Sequence, residues 1–258
     1  MADGERIRSG AELVDPGSIL VHPTRDELPD LPIFNGVEEP LVETLLASSS
    51  TRQYRAGGLI VRQGEQAPDL HVVLRGIVDL TLLSRKSECG VLLLSSKDLL
   101  LPATTLFHEP ALVSARALTN TKILLLTGGA VEAALNRSTA FAANLMKPMS
   151  GQWRMAVRNI LDLNCRSAAQ RVAAFLLRIA DLQPDTPAPV LPIAKRHLAV
   201  RLGITAETLS RMLQTVADHG LYLRGRTIVI RDRAAIEEFC GPDPYPQKDE
   251  RILDVFAL

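Results

Sequence analysis

Cysteine is scarce and scattered. The 258 residues contain three, Cys89, Cys165 and Cys240, an odd number too far apart for a disulfide framework or a CxxC metal pair. They read as reduced thiols. No apolar run is long enough to span a bilayer, and the first thirty residues are acidic and interrupted by Pro16, Pro23 and Pro29 rather than built as a signal peptide. The expectation is a cytoplasmic protein without membrane attachment. Clustered carboxylates, His-rich metal spacing and a nucleophile elbow are all missing, so the chain reads as a non-enzyme with no metal site. No internal repeat or low-complexity segment is evident. Net charge is absent too: 29 basic residues cancel 29 acidic ones, which argues against a generally sticky polycation.

What is present is globular material, 47% hydrophobic and 22% charged, long enough for two modules with separate cores. The charge is unevenly spread. Residues 195–233 hold eight Lys/Arg against three Asp/Glu, whereas residues 1–50 hold three Arg against ten acids. A basic concentration near one end is the footprint of a module that meets phosphate while the rest does not.

Residues 1–30 lack periodicity and read as a loosely held arm. From Tyr54 to Thr127 short β-branched runs alternate with glycine or charged turns: Leu59 to Val61, Leu70 to Leu74, Ile77 to Leu83, Val91 to Leu94, Leu99 to Leu101 and Ile123 to Leu126. Such spacing predicts an antiparallel sandwich or roll over residues 31–130. After Gly128-Gly129 the period becomes helical, and residues 131–165 read as a dimerisation helix. Within it, Ala142, Met146, Met149, Trp153, Ala156, Ile160 and Leu163 recur every four and three residues, a coiled-coil seam from about Thr139 to Asn164. An ordinary core-facing helix is the alternative reading. Pro148 predicts a kink, which places the tight part of the seam from Trp153 onward.

Ser167 and Gln170 have capping-box spacing, and the helix they open carries Val172, Phe175, Leu176 and Ile179 inward before Gln183-Pro184-Asp185 ends it. A short helix from Lys195 to Leu202, a turn at Gly203-Ile204-Thr205 and a helix from Ala206 to His219 then give helix-turn-helix spacing. Leu209, Leu213 and Val216 form the apolar side of the second helix. Glu207, Ser210, Arg211 and Gln214 point elsewhere, and these are side chains that read base edges: Arg donates a bidentate pair to guanine, Glu accepts from cytosine. Alone they would read as a solvated face with a Glu207–Arg211 pair. The next segment decides between the two. Leu221 to Leu223 and Thr227 to Ile230 flank Arg224-Gly225-Arg226, a β-hairpin wing that carries Arg224 and Arg226 to phosphate. Residues 166–240 are therefore predicted to be a winged helix-turn-helix that binds double-stranded DNA, followed by a tail over 241–258.

From about Ile33 to Phe239 the chain resembles the CRP/FNR family of bacterial regulators. Gly57-Gly58-Leu59-Ile60-Val61-Arg62-Gln63-Gly64-Glu65 and Asp69 to Val78 are similar to its β-roll signature. Leu198-Ala199, Leu202-Gly203 and Glu207-Thr208-Leu209-Ser210-Arg211 match its helix-turn-helix. The resemblance implies an α+β fold: an N-terminal antiparallel β-roll, cupin-like and of the cyclic-nucleotide-binding-domain type, then a long dimerisation helix and the C-terminal winged module. It also implies a homodimer on a TTGA-type palindrome, with RNA polymerase as a partner if the protein is an activator. The dimer seam would be Met149, Trp153, Ala156, Ile160 and Leu163.

The sensor departs from the family pattern. Where cyclic-AMP-binding members carry a Gly-Glu pair and an Arg-Ser/Thr-Ala run, this chain has Leu101-Pro102 and Val113-Ser114-Ala115. Ala156 and Val157 fall where the helix would offer hydroxyls to adenine. The expected pocket, lined by Leu101, Pro102, Val113, Ser114, Ala156 and Val157, is apolar, and the effector is not a cyclic nucleotide. No cysteine precedes Cys89, which excludes the N-terminal cysteine cluster of iron–sulfur members. No cofactor is predicted. Heme, with His108 as axial ligand, is an alternative, as is an effector-independent regulator. A catalytic roll fused to a DNA anchor is disfavoured for want of catalytic groups.

Overall fold

The computed structural model describes residues 19–21, 23, 28, 31–84 and 88–241. Two antiparallel sheets form the first module. One has five strands in the order β1 (Ile19–Val21), β2 (Ser50–Tyr54), β9 (Thr121–Leu126), β4 (Leu70–Arg75) and β7 (Leu99–Leu100). The other has four, β3 (Leu59–Val61), β8 (Ser114–Ala117), β5 (Val78–Leu83) and β6 (Glu88–Leu94). The alternation of a strand sends successive side chains to opposite faces. Val73, Leu100, Ile123 and Leu125 therefore meet Val78, Leu80, Leu92, Leu94 and Ala115 between the sheets. Leu70, Val72, Leu99, Leu124 and Leu126 point out of the roll and are covered by helices. At the β4–β5 turn Gly76 has φ +99, and a Cβ there would lie 2.5 Å from Thr121 Oγ1, so only glycine fits.

The helical cover comes from α1 (Glu39–Ala47), α3 (Gly128–Arg137) and the start of α4 (Thr139–Cys165), through Leu45, Val131, Ala134, Phe141 and Leu145. Each fully buried Leu or Phe contributes roughly 1.5–3 kcal/mol. The predicted 131–165 helix is two helices: Ser138 leaves helical geometry (ψ 109) and caps α4 by accepting the Phe141 N–H. From there α4 is helical as far as Cys165, with Pro148 inside it. A short α2 (Pro102–Phe107) follows β7.

One expectation is corrected. Residues 1–30 do not form a structureless arm throughout, because Ile19–Val21 pairs antiparallel with β2, Ile19 opposite Gln53, and Leu28 is buried in the outer core. The sequence signal failed because a three-residue edge strand has no period to detect. The 241–258 tail beyond Gly241 lies outside the described residues.

The second module contains α5 (Ala168–Asp181), α6 (Lys195–Arg201), α7 (Ala206–Asp218), the hairpin β10 (Leu221–Arg224) and β11 (Thr227–Ile230), and α8 (Arg233–Cys240). Ser167 caps α5 in a complete capping box with Gln170. Val172, Phe175, Leu176 and Ile179 form the core as the sequence pattern predicts, together with Leu198, Leu209, Val216, Leu221 and Ile236. At the junction Asp162 bonds both Arg166 (2.6 Å) and Arg178 (2.9 Å), which fixes the end of α4 against α5.

Candidate nucleic-acid interface

Thr205 begins α7 as N-cap, its hydroxyl accepting the Thr208 N–H at 3.1 Å, and Gly203 supplies the left-handed turn (φ +65) between α6 and α7. That turn sets the angle between the helices. Leu209 and Val216 are buried and Met212 and Leu213 partly so. Glu207, Ser210, Arg211 and Gln214 are all exposed, one polar face opposite the buried one. Ser210 donates to Ala206 O at 3.1 Å, which leaves its oxygen lone pairs free to accept.

The wing pairs Leu221 with Ile230 and Arg224 with Thr227, leaving Gly225 and Arg226 as the turn, with Gly225 at φ +66. It is anchored from the side. Ile228 N donates to Pro189 O, Leu191 N to Arg226 O, and Arg226 Nε to Leu191 O at 2.9 Å. One nitrogen of Arg226 is thus engaged within the protein, a contact that residue spacing does not reveal. Arg224 is exposed. Sequence reasoning also singled out no base-facing role for Lys195 and Arg196, which begin α6 exposed on the same module; the local charge count was the signal that held them.

Along α4, Met146, Trp153, Ile160 and Leu163 are 65%, 70%, 56% and 53% exposed, while Met149 and Ala156 are half-buried. The opposite side of the helix holds the roll. Gln152 Nε2 donates to Leu99 O at 2.7 Å, Asn159 Nδ2 to Val91 O at 2.8 Å, and Met155 packs on the inter-sheet core. Leu101 and Val113 pack against that same inter-sheet core, as does Met155 from α4. Sequence reasoning missed Met155, although 152, 155 and 159 lie on one helical stripe.

Leu101 adopts a left-handed conformation (φ +47, ψ 50) at the N-cap of α2, a geometry that suits glycine and costs a leucine about 1–2 kcal/mol. Buried Pro102 follows, and it has no N–H to offer an anion. Ser114 Oγ accepts the Gln63 N–H at 3.0 Å. Arg116 lies opposite Asp79 in the β5–β8 pairing, on the outer face of the sheet, and donates to Gly57 O at 2.7 Å. His108 is exposed at the end of α2, and no group of three or more His, Cys, Asp or Glu able to hold a metal occurs among the described residues. Buried His71 sits 2.8 Å from Asp69 O through Nδ1, and desolvation holds its pKa below the usual value. It acts as a satisfied core residue.

Comparison with known proteins agrees with this division. A cyclic nucleotide-binding domain model matches residues 51–138 and a Crp-like helix-turn-helix domain model residues 170–239. The cyclic AMP receptor protein of Thermus thermophilus is 30% identical over 210 residues, 80% of this chain and 95% of the relative. The chain belongs to the CRP/FNR family. Two solved structures extend the likeness of this CRP/FNR protein to three dimensions. FixK2 from Bradyrhizobium japonicum has a TM-score of 0.65 at 25% identity over 76% of this chain and 98% of that one. A CooA mutant from Carboxydothermus hydrogenoformans has a TM-score of 0.67 at 21% identity, over 82% and 95%, and shares the fold. This CRP/FNR chain is accordingly a DNA-binding transcription regulator, not an enzyme.

Proposed function

We propose that the protein acts in the cytoplasm as a homodimer on a TTGA-type palindrome, each α7 entering a major groove and each wing touching the flanking phosphates. The observation that carries this reading is the exposed row Glu207, Ser210, Arg211 and Gln214 on a helix whose other side is buried. Arg211 supplies guanine readout, Glu207 accepts from cytosine, and Arg224 with the free guanidinium nitrogens of Arg226 meets phosphate. Two such helices reach successive grooves only when held about 34 Å apart. The exposed Met146–Trp153–Ile160–Leu163 stripe, buried against its copy in a second chain, provides that spacing. Where the dimer activates, RNA polymerase is the further partner.

The effector in this reading is uncharged or hydrophobic. A cyclic nucleotide would bury a phosphate beside Pro102, which has no N–H, and Val113, whose side chain has no cation, and an unpaired buried charge costs several kcal/mol. The heme reading has no observation in its favour, His108 being a surface-turn residue. Fluorescence anisotropy with a TTGA-type palindrome against a scrambled duplex, repeated across salt concentrations, tests the proposal. Specific binding with a two-chain stoichiometry supports it, and equal affinity for both duplexes sinks it.

A further inference from the structure

The outer face of the four-stranded sheet is not free. Ile77 and Leu93 belong to the same apolar cluster as Leu176, Leu198 and Leu202 of the DNA-binding module, and α6 lies against β6. Gly90 makes room for it: a Cβ there would lie 2.7 Å from Arg201 Cα. Within this apolar contact sits one charged pair. Asp79 of β5 and Arg201 of α6 have side chains only 6% and 7% exposed, yet their nearest oxygen and nitrogen, Oδ1 and Nη1, are 3.9 Å apart and neither has a hydrogen-bond partner among the described residues.

A buried pair offsets its desolvation only with short, well-directed hydrogen bonds, and this one has none between those two atoms. The pair therefore weakens an interface that Ile77, Leu93 and Leu198 would otherwise hold tightly. Further charges face it from the neighbouring elements, Glu88 on β6, Arg116 on β8 and Arg178 on α5, and His197 earlier on α6 interacts with the same Glu88. Burial pushes the Asp79 carboxyl up to about 6 and the Arg201 guanidinium down to about 10, each favouring its neutral form in spite of the other.

We infer that Asp79 and Arg201 form a release point, which keeps the docking of the DNA-binding module on the sensor marginal so that the two separate and re-dock as the regulator changes state. A regulator of this design needs two domain arrangements close in free energy, and an ill-paired charge in the interface supplies the closeness. The inference rests on the DNA-binding reading only for its consequence, not for its structural part.

The test uses the full chain with Cys89→Ser and Cys165→Ser and spin labels on Glu65→Cys and Asp218→Cys, both exposed positions, to read the distance distribution between the modules. The parent protein is expected to show a docked and a longer-distance population. Asp79→Leu with Arg201→Met should deplete the longer population about tenfold or more, since apolar replacement of an ill-paired buried ion pair is often stabilising. Asp79→Asn with Arg201→Gln, which removes both charges while keeping the side chains polar and similar in size, provides the second variant if the apolar one misfolds. Gly90→Ala should enlarge the longer population. Operator affinity should change along with the population. A longer population unchanged or enlarged in both the apolar and the Asn–Gln double variants overturns the release point. Depletion with unaltered operator affinity overturns its regulatory role, and absence of operator binding by the parent protein refutes the DNA reading instead.

Discussion

Trp153 and Ile160 stand two helical turns apart on α4, and both project into solvent from a helix whose other side is bonded to the roll. A tryptophan and an isoleucine exposed in register are the centre of a stripe that a second copy would cover.

Ile160→Glu is expected to give a monomer in sedimentation velocity, because a glutamate buried unpaired in the seam costs several kcal/mol. Persistence of the dimer would remove α4 as the interface.

Base and phosphate contacts should separate by mutation. Arg211→Ala is expected to cost about 1–3 kcal/mol per half-site on the palindrome and little on random DNA. Arg224→Ala should weaken both duplexes alike and reduce the salt slope by about one. Arg226→Ala should do the same and, by removing the bond to Leu191 O, also lower the stability of the winged module. Equal loss on specific and random DNA for Arg211→Ala would show that it reads no base.

Calorimetry with cyclic AMP and cyclic GMP should show no micromolar binding. The physical grounds are Pro102 without an amide hydrogen, Val113 without charge, and Arg116 turned to the outer face. Micromolar affinity that also raises operator binding would mean that the phosphate finds a cation elsewhere.

The Asp79–Arg201 pair predicts a particular pH dependence. The Asp79 pKa is raised in the folded state to about 6 from an ordinary 3.8, so its contribution to stability is complete below about pH 4 and is lost as pH rises through 6. Arg201 is lowered to about 10, so its cost is relieved only at higher pH. Between pH 6 and 10 both charges are buried together. In urea denaturation Asp79→Leu with Arg201→Met should exceed the parent by about 1–4 kcal/mol at pH 7.5, and the gap should narrow toward pH 5. A gap that is constant with pH would mean that Asp79 does not titrate with folding.

The strands that could be read from sequence were those with their own apolar period, such as Leu70–Arg75, where Leu70 and Val72 serve one core and Val73 the other. β8, Ser114–Ala117, carries two alanines, a serine and an arginine and has no such period; it is a strand because β3 and β5 pair with it on both sides. The recognition helix was legible for a similar reason, its polar and apolar positions being local to thirteen residues. Contacts between distant segments were not. The Arg226–Leu191 bond, the Met155 contact with the roll and the Asp79–Arg201 pair join positions whose proximity exists only after the chain has folded.

Gln152 and Asn159 hold α4 to carbonyls on two different sheets, Leu99 on β7 and Val91 on β6. The helix is therefore a cross-brace between the walls of the roll. Any guest that wedges the walls apart must stretch one of these two amide bonds or turn the brace about its own axis. In a dimer joined along that brace, symmetry repeats the turn in the partner, so a change in the width of one roll would register as rotation at both ends of the assembly.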